Sequence, residues 1–206
     1  YQYMALTSFV LFLCALAYFP DRPPTEPSES ATVEKTDFRV GLKELMTNKR
    51  FLVLVVAFGI PTGVFSGWSV VLGPNLDQFH FSQSTAGYIG CFSTMAGCAA
   101  GIAGGRLVDW VGGRMKLTIT VMYTLATACF VWFSLSCEGL IHTSLATVYV
   151  SCVLGGCFLN GVIPIFYELC VEETYPVPEA SVAGFVNLAQ NIVQSIFLFM
   201  PMQSLV

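Results

Sequence analysis

Six long apolar runs, at 1–19, 50–73, 85–105, 117–137, 144–170 and 180–203, constrain this chain more than any other feature. A hydrocarbon layer of about 30 Å takes about 20 residues of helix to cross, and each run meets or approaches that length. Lipid offers no water to the backbone, so each run must satisfy its own N–H and C=O groups, as an α-helix does. The expected fold is all-α, a polytopic transmembrane helical bundle. Composition agrees. Of 206 residues 55% are apolar and 11% charged, where a soluble domain carries about 25% charged residues. The chain opens at Tyr1, inside an apolar run, and reads as starting within a span. Ala15-Leu16-Ala17 would suit a signal-peptide cleavage site, but no basic segment precedes it and more apolar runs follow.

The positions of the basic residues orient the spans. Arg22, Lys35, Arg39, Lys43, Lys49 and Arg50 fall between the first two runs, and Arg106, Arg114 and Lys116 between the third and fourth. Loops 74–84, 138–143 and 171–179 have no Lys or Arg. Lys and Arg near span ends mark the cytosolic side, whereas acidic residues count little. Segments 20–49, 106–116 and 171–179 are therefore expected in the cytosol, and 74–84 and 138–143 in a lumen or outside. The net charge of −4 with no basic, aromatic-interleaved patch argues against a nucleic-acid partner. Eight cysteines include no Cys-x-x-Cys pair. They read as small apolar packing residues rather than a metal or redox site, with Cys137, near a span end, as the candidate exposed thiol. No cofactor or metal is expected.

Pro20, Pro23, Pro24 and Pro27 make 20–37 an extended linker, whose two Pro-x-x-Pro patterns also fit an SH3 ligand. In 38–49, Phe38, Val40, Leu42, Leu45 and Met46 can fall on one helical side and Arg39, Lys43 and Lys49 are among the polar positions, as in a short helix on the inner membrane surface. Gly59, Pro61, Gly63 and Gly67 suggest a break in the second span, the kind of break transporters place at substrate sites. Gly90, Gly97, Gly101, Gly104 and Gly105 permit close helix approach in the third.

The turn after that span reads Gly-Gly-Arg-Leu-Val-Asp-Trp-Val-Gly-Gly-Arg-Met-Lys-Leu, residues 104–117. Gly105, Leu107, Asp109, Gly112, Arg114 and Lys116 resemble the cytoplasmic loop motif of the major facilitator superfamily. Gly113 and Trp110 stand where that family often has basic residues. Physically, glycine suits the tight turn, and Asp109 could accept hydrogen bonds at a helix N-terminus. The resemblance implies that Gly105, Asp109, Gly112, Arg114 and Lys116 latch two six-helix halves together in one conformation. It also implies a register: 1–19 is the last helix of the N-terminal half, 20–49 the central linker, and 50–206 the C-terminal half, truncated before its final helix. The chain would then hold about helices six to eleven.

Segments 16–20, 60–69, 158–169 and above all Val171-Glu-Glu-Thr-Tyr-Pro-Val-Pro-Glu179 are similar to solute carrier family 49, the feline leukaemia virus subgroup C receptor-related proteins. That resemblance implies a lysosomal membrane transporter of a small organic solute, proton-coupled, with pyridoxine the leading substrate and choline, ethanolamine or haem the alternatives. Choline-carrying relatives have Tyr where this chain has Ser66, which weighs against choline.

Polar side chains inside spans are costly and mark function by default. Phe65, Ser66 and Trp68 offer an aromatic face for a flat ring or a cation, although Trp68 also suits an interfacial anchor. Asn187, Gln190, Asn191 and Gln194 fall on one helical stripe. They, with Asn160, serve either substrate contact or helix–helix hydrogen bonding. Glu168 could carry a coupling proton, pair with a basic gate residue, or sit at the interface. His80 and His142 could sense an acidic lumen or be plain loop residues. No Gly-rich phosphate loop, His-Glu-x-x-His motif or paired membrane aspartate is found, so no enzyme is expected. The expected partners are a small organic solute, protons, the bilayer and the remaining N-terminal half. A non-transporting membrane receptor or scaffold is the reading from another class.

Overall fold

The computed structural model describes residues 2–18, 37–77, 82–141 and 144–200. The Pro-rich linker, His80 and His142 lie outside them. The described residues form seven helices: α1 (Gln2–Ala17), α2 (Phe38–Thr47), α3 (Lys49–Asp77), α4 (Gln83–Trp110), α5 (Met115–Cys137), α6 (Leu145–Thr174) and α7 (Glu179–Phe199). No strand occurs among these residues. The chain divides into two compact units, 1–35 and 36–206.

In the first unit, α1 has 16 residues. At 1.5 Å per residue that is about 24 Å, short of a full crossing. Five helices, α3 to α7, have the length and apolarity to cross a membrane among the described residues, where the sequence pattern predicts six spans. The chain is a multi-pass membrane protein built as an all-α bundle.

The second unit differs from expectation at several helix ends. The third span, expected to stop at 105, continues through Arg106–Trp110 because nothing there breaks a helix. It stops where Gly112 and Gly113 adopt φ of 74° and 76° and the Gly113 N–H reaches back to the Val108 carbonyl at 2.9 Å. Left-handed backbone of this kind is what ends a helix and is glycine's province. The predicted break in the second span is absent. Helix α3 runs through Pro61, and α6 through Pro164. Some starts carry side-chain caps: the Ser144 hydroxyl accepts from the Thr147 N–H at 3.1 Å, and Asn48 Oδ1 accepts from the Arg50 and Phe51 N–H groups at 3.1 and 3.2 Å.

Lipid is as apolar as leucine, so helices in a bilayer associate by close packing rather than by the hydrophobic effect. Two seams show this. Gly59, Gly63 and Gly67 of α3 face Ala189, Gln190, Val193 and Phe197 of α7, while Gly97, Gly101 and Gly104 of α4 face Asn160, Pro164 and Ile165 of α6. Each series recurs every three or four residues and so forms one stripe. Helix α5 packs on the other side of α6, where Phe130 abuts Gly155. Two apolar cores result. The larger joins Phe51, Phe58, Val108, Ile119, Phe166 and Val182 with neighbours; the smaller joins Leu72, Leu76, Ile89, Val148 and Cys152. Between them Ser66 and Ser69 of α3, Ser93 and Thr94 of α4, and Asn160 of α6 come together.

Candidate functional site

That interval holds a cavity of about 230 Å³ lined by Phe65, Ser66, Trp68, Ser69 and Leu72 of α3, Ile89, Gly90, Ser93 and Thr94 of α4, and Asn160 of α6. It brings together four residues singled out from sequence: Phe65, Ser66, Trp68 and Asn160. Phe65 and Trp68 stack with ring centroids 6.0 Å apart and planes 27° from parallel. Phe130 and Phe133 of α5 meet the indole edge-on, each with its centroid at 5.5 Å. Such packing holds Trp68 between helices.

No lining residue carries a formal charge. The hydroxyls donate into the protein: Ser69 to the Phe65 carbonyl at 2.8 Å, Thr94 to Gly90 at 3.0 Å, and the buried Ser93 across to Cys152 at 3.3 Å. Their oxygens keep lone pairs for a guest. The Asn160 carboxamide has no hydrogen-bond partner among the described residues, so it can both donate and accept. The cavity thus combines an aromatic pair with neutral polar groups from three helices.

A larger hollow of about 700 Å³ lies on the other side of Phe65 and Trp68, walled by Ile60, Pro61 and Val64 of α3, Tyr123, Thr127 and Phe130 of α5, Leu159 and Phe197. It is bigger but nearly all apolar. The smaller cavity gathers more convergent polar groups for its size, whereas the larger one holds Thr127, Ser134 and the buried Tyr123 hydroxyl, which has no hydrogen-bond partner among the described residues.

The amide stripe on α7 splits. Gln190 Nε2 donates to Ser66 Oγ at 3.1 Å and so does helix–helix work at the cavity rim. Asn187 and Asn191 are exposed, Gln194 is half-buried, and none of the three lines the cavity. Ser69, Ser93 and Thr94 escaped the sequence reading. Hydroxyls are common in membrane helices and satisfy themselves on the preceding turn, so only their convergence from two helices marks them.

At the basic end, Asp109 occupies the last turn of α4 and caps no helix start; Arg114 precedes α5 without a side-chain cap, and Gly105 faces open space. Gly112 shapes the turn, and Lys116 opens α5 exposed. None of Asp109, Arg114 and Lys116 forms an ion pair among the described residues. The carboxylate that meets a base there is Glu173, 3.6 Å from Arg50, while Glu168 is exposed. Cys137 is half-buried, whereas Cys14, Cys91 and Cys98 are exposed. No cluster of metal-ligating side chains occurs among the described residues.

A multi-pass helical bundle with a small polar cavity between its helices has the architecture in which membrane transporters place their solute sites. The sequence profile of the Major Facilitator Superfamily matches residues 1–198, and the chain belongs to that superfamily. It is 42% identical over 193 residues to Solute carrier family 49 member 4 homolog of Xenopus laevis, covering 92% of this chain and 42% of that protein. It is 30% identical over 185 residues to Solute carrier family 49 member A3 of Danio rerio, covering 86% and 37%. Over 199 residues it is 28% identical to Choline/ethanolamine transporter FLVCR1 of Mus musculus, covering 93% and 35%. The chain spans less than half the length of these relatives, and they agree with the solute carrier family 49 resemblance carried by residues 171–179.

Proposed function

We propose that the full protein is a secondary active transporter that moves a small, neutral, ring-bearing organic solute by alternating access, with pyridoxine the leading substrate, proton coupling, and the lysosomal membrane as its site. One observation carries the substrate class: the Phe65–Trp68 aromatic pair shares a lining with Ser66, Ser69, Ser93, Thr94 and Asn160 and with no charged group. A hydroxylated pyridine can stack on the aromatic face and exchange hydrogen bonds with the hydroxyls and carboxamide of the same lining. Haem, with its carboxylates and much larger ring, finds neither room nor countercharge there. Choline or ethanolamine is the second reading, favoured by the aromatic pair, which can hold a cation, and by the similarity to the mouse choline/ethanolamine transporter.

Asn187, Asn191 and Gln194 then face the opposite half and complete the solute site in the closed state. Gly105, Asp109, Gly112, Arg114 and Lys116 form the latch, whose charged groups meet partners on that half. Segments 20–49, 106–116 and 171–179 face the cytosol, and 74–84 and 138–143 the lumen. No carboxylate lines the cavity, so the coupling proton is carried outside its wall, with Glu168 the candidate in this half.

The test is uptake by the full-length protein in vesicles across a pH gradient, with labelled pyridoxine, choline and haem compared. Saturable pyridoxine uptake that follows the gradient supports the reading. Uptake of all three at the level of empty vesicles would replace it with the non-transporting receptor or scaffold.

A further inference from the structure

Helix α2 presents an outward face that solute transport does not use. Only Asn48 separates it from Lys49, where the crossing helix α3 begins. Its inner side touches Val177 and Pro178, which lead into α7: a Cβ on Gly41 would stand 3.1 Å from Val177 Cγ1. Two crossing helices thus pin α2 at the level of one membrane surface. The α4–α5 turn, with Arg106, Arg114 and Lys116, emerges at that same surface, since α4 runs antiparallel to α3.

Successive residues on a helix turn by about 100°, which sorts α2 into strips. Gly41 and Leu45 face the bundle, and Leu45 is 1% exposed. The next flank carries Phe38, Leu42 and Met46, with Phe38 62% and Met46 61% exposed. Beyond it come Arg39 and Lys43, both exposed, and then Val40, 50% exposed and off the apolar side to which the sequence pattern assigns it. The one acid within α2, Glu44, lies on the opposite flank, in a small cleft with Asn48, Glu173 and Tyr175. An apolar strip at a bilayer surface bordered by cations is complementary to acyl chains beneath anionic headgroups.

We propose that α2 binds anionic phospholipid headgroups of the leaflet on which it lies, through Arg39 and Lys43, with Phe38, Leu42 and Met46 seated at the acyl boundary. The partner is the lipid surface itself, and the binding is independent of which solute is carried.

The experiment uses the full-length protein with its exposed native cysteines, Cys14, Cys91 and Cys98 among them, replaced by serine and Met46→Cys carrying an environment-sensitive fluorophore, reconstituted in phosphatidylcholine vesicles. Brominated phosphatidylserine and brominated phosphatidylcholine then serve in turn as quenchers, and their ratio gives the lipid preference at the label. One cation at an anionic surface favours it by about five-fold, so phosphatidylserine is expected to be preferred at least about five-fold. High salt and the Arg39→Gln/Lys43→Gln variant should each bring the preference close to one, while brominated phosphatidylcholine still quenches. Equal quenching by both lipids in the parent overturns the proposal. So does a preference that persists in the variant, or no quenching by either lipid. Should the variant fold poorly, the parent decides alone: a preference that high salt leaves intact overturns it.

Discussion

Gln190 of α7 donates its side-chain N–H to the hydroxyl of Ser66 on α3 at 3.1 Å, joining the rim of the cavity to the neighbouring helix. The bond sits where Gly63 lets the two backbones approach. It fixes which way Ser66 points and removes Gln190 from the cavity. Side-chain bonds between membrane helices average about 0.6 kcal/mol, up to about 1.7. Gln190→Ala in the full-length protein should therefore lower stability by about 1 kcal/mol and alter solute KM through a freed Ser66. Thermal melting in detergent together with uptake kinetics measures both. An unchanged KM would show that the Ser66 orientation does not matter to the solute.

The same seam gives a steric prediction. An added Cβ at Gly63 would stand 2.7 Å from the Gln190 carbonyl oxygen and 2.7 Å from Val193 Cβ. A backbone oxygen cannot swing aside, so α7 must move. Overpacking of this kind costs about 1–3 kcal/mol, and Gly63→Ala should lower the melting temperature accordingly. Gly87→Ala is the control: nothing lies within 4 Å of its Cβ position, and alanine in a helix gains about 0.5–1 kcal/mol over glycine. Equal melting temperatures for the two variants would mean that the α3–α7 seam is looser than described.

What the sequence discloses follows from which forces are local. Apolar run length predicts the five helices long enough to cross, because the bilayer imposes its thickness on any chain, and the amphipathic pattern of 38–49 predicts the helix α2. The turn at 112–113 is legible from its glycines, but the helix end there is misjudged by five residues, since Arg106 and Asp109 interrupt the apolar run while the helix continues through Trp110. Pro61 misleads in the other direction: it removes one hydrogen bond, and α3 continues through it. At the site, Phe65, Ser66, Trp68 and Asn160 are readable as costly or bulky groups inside spans. The contributions of Ser93 and Thr94 are not, because periodicity shows which face of a helix a residue occupies but not which helix lies opposite. The amide stripe on α7 exposes the same limit. One face holds Gln190, which is bonded, and Asn191, which is exposed, and only the position of α3 separates them.

The ion pair at the basic end should matter little to stability. Arg50 and Glu173 stand 3.6 Å apart with side chains 86% and 23% exposed. Water screens such a pair, and exposed pairs contribute about 0–1 kcal/mol. Glu173→Gln should shift unfolding by under about 0.5 kcal/mol, and a double-mutant cycle with Arg50→Gln should return a coupling of the same order, weaker in high salt. A coupling above about 2 kcal/mol would mean that the pair is enclosed by another part of the protein and belongs with the latch rather than with the surface.

The uncharged lining makes the choice between a neutral ring and a cation testable with one atom. Asn160→Asp keeps the shape of the side chain and places a carboxylate in the cavity beside Phe65 and Trp68. A buried carboxylate without a partner is costly, and that cost falls on any neutral guest. A quaternary ammonium would instead gain a counter-ion in addition to the aromatic face. The variant should lose pyridoxine uptake by about ten-fold or more, a penalty of about 1.4 kcal/mol, and should gain choline uptake. Gradient-driven uptake of both labelled solutes in vesicles, parent against variant, measures the exchange. Identical profiles would place the solute elsewhere in the protein, and a parent that already prefers choline would overturn the neutral-ring assignment while leaving the cavity as the site.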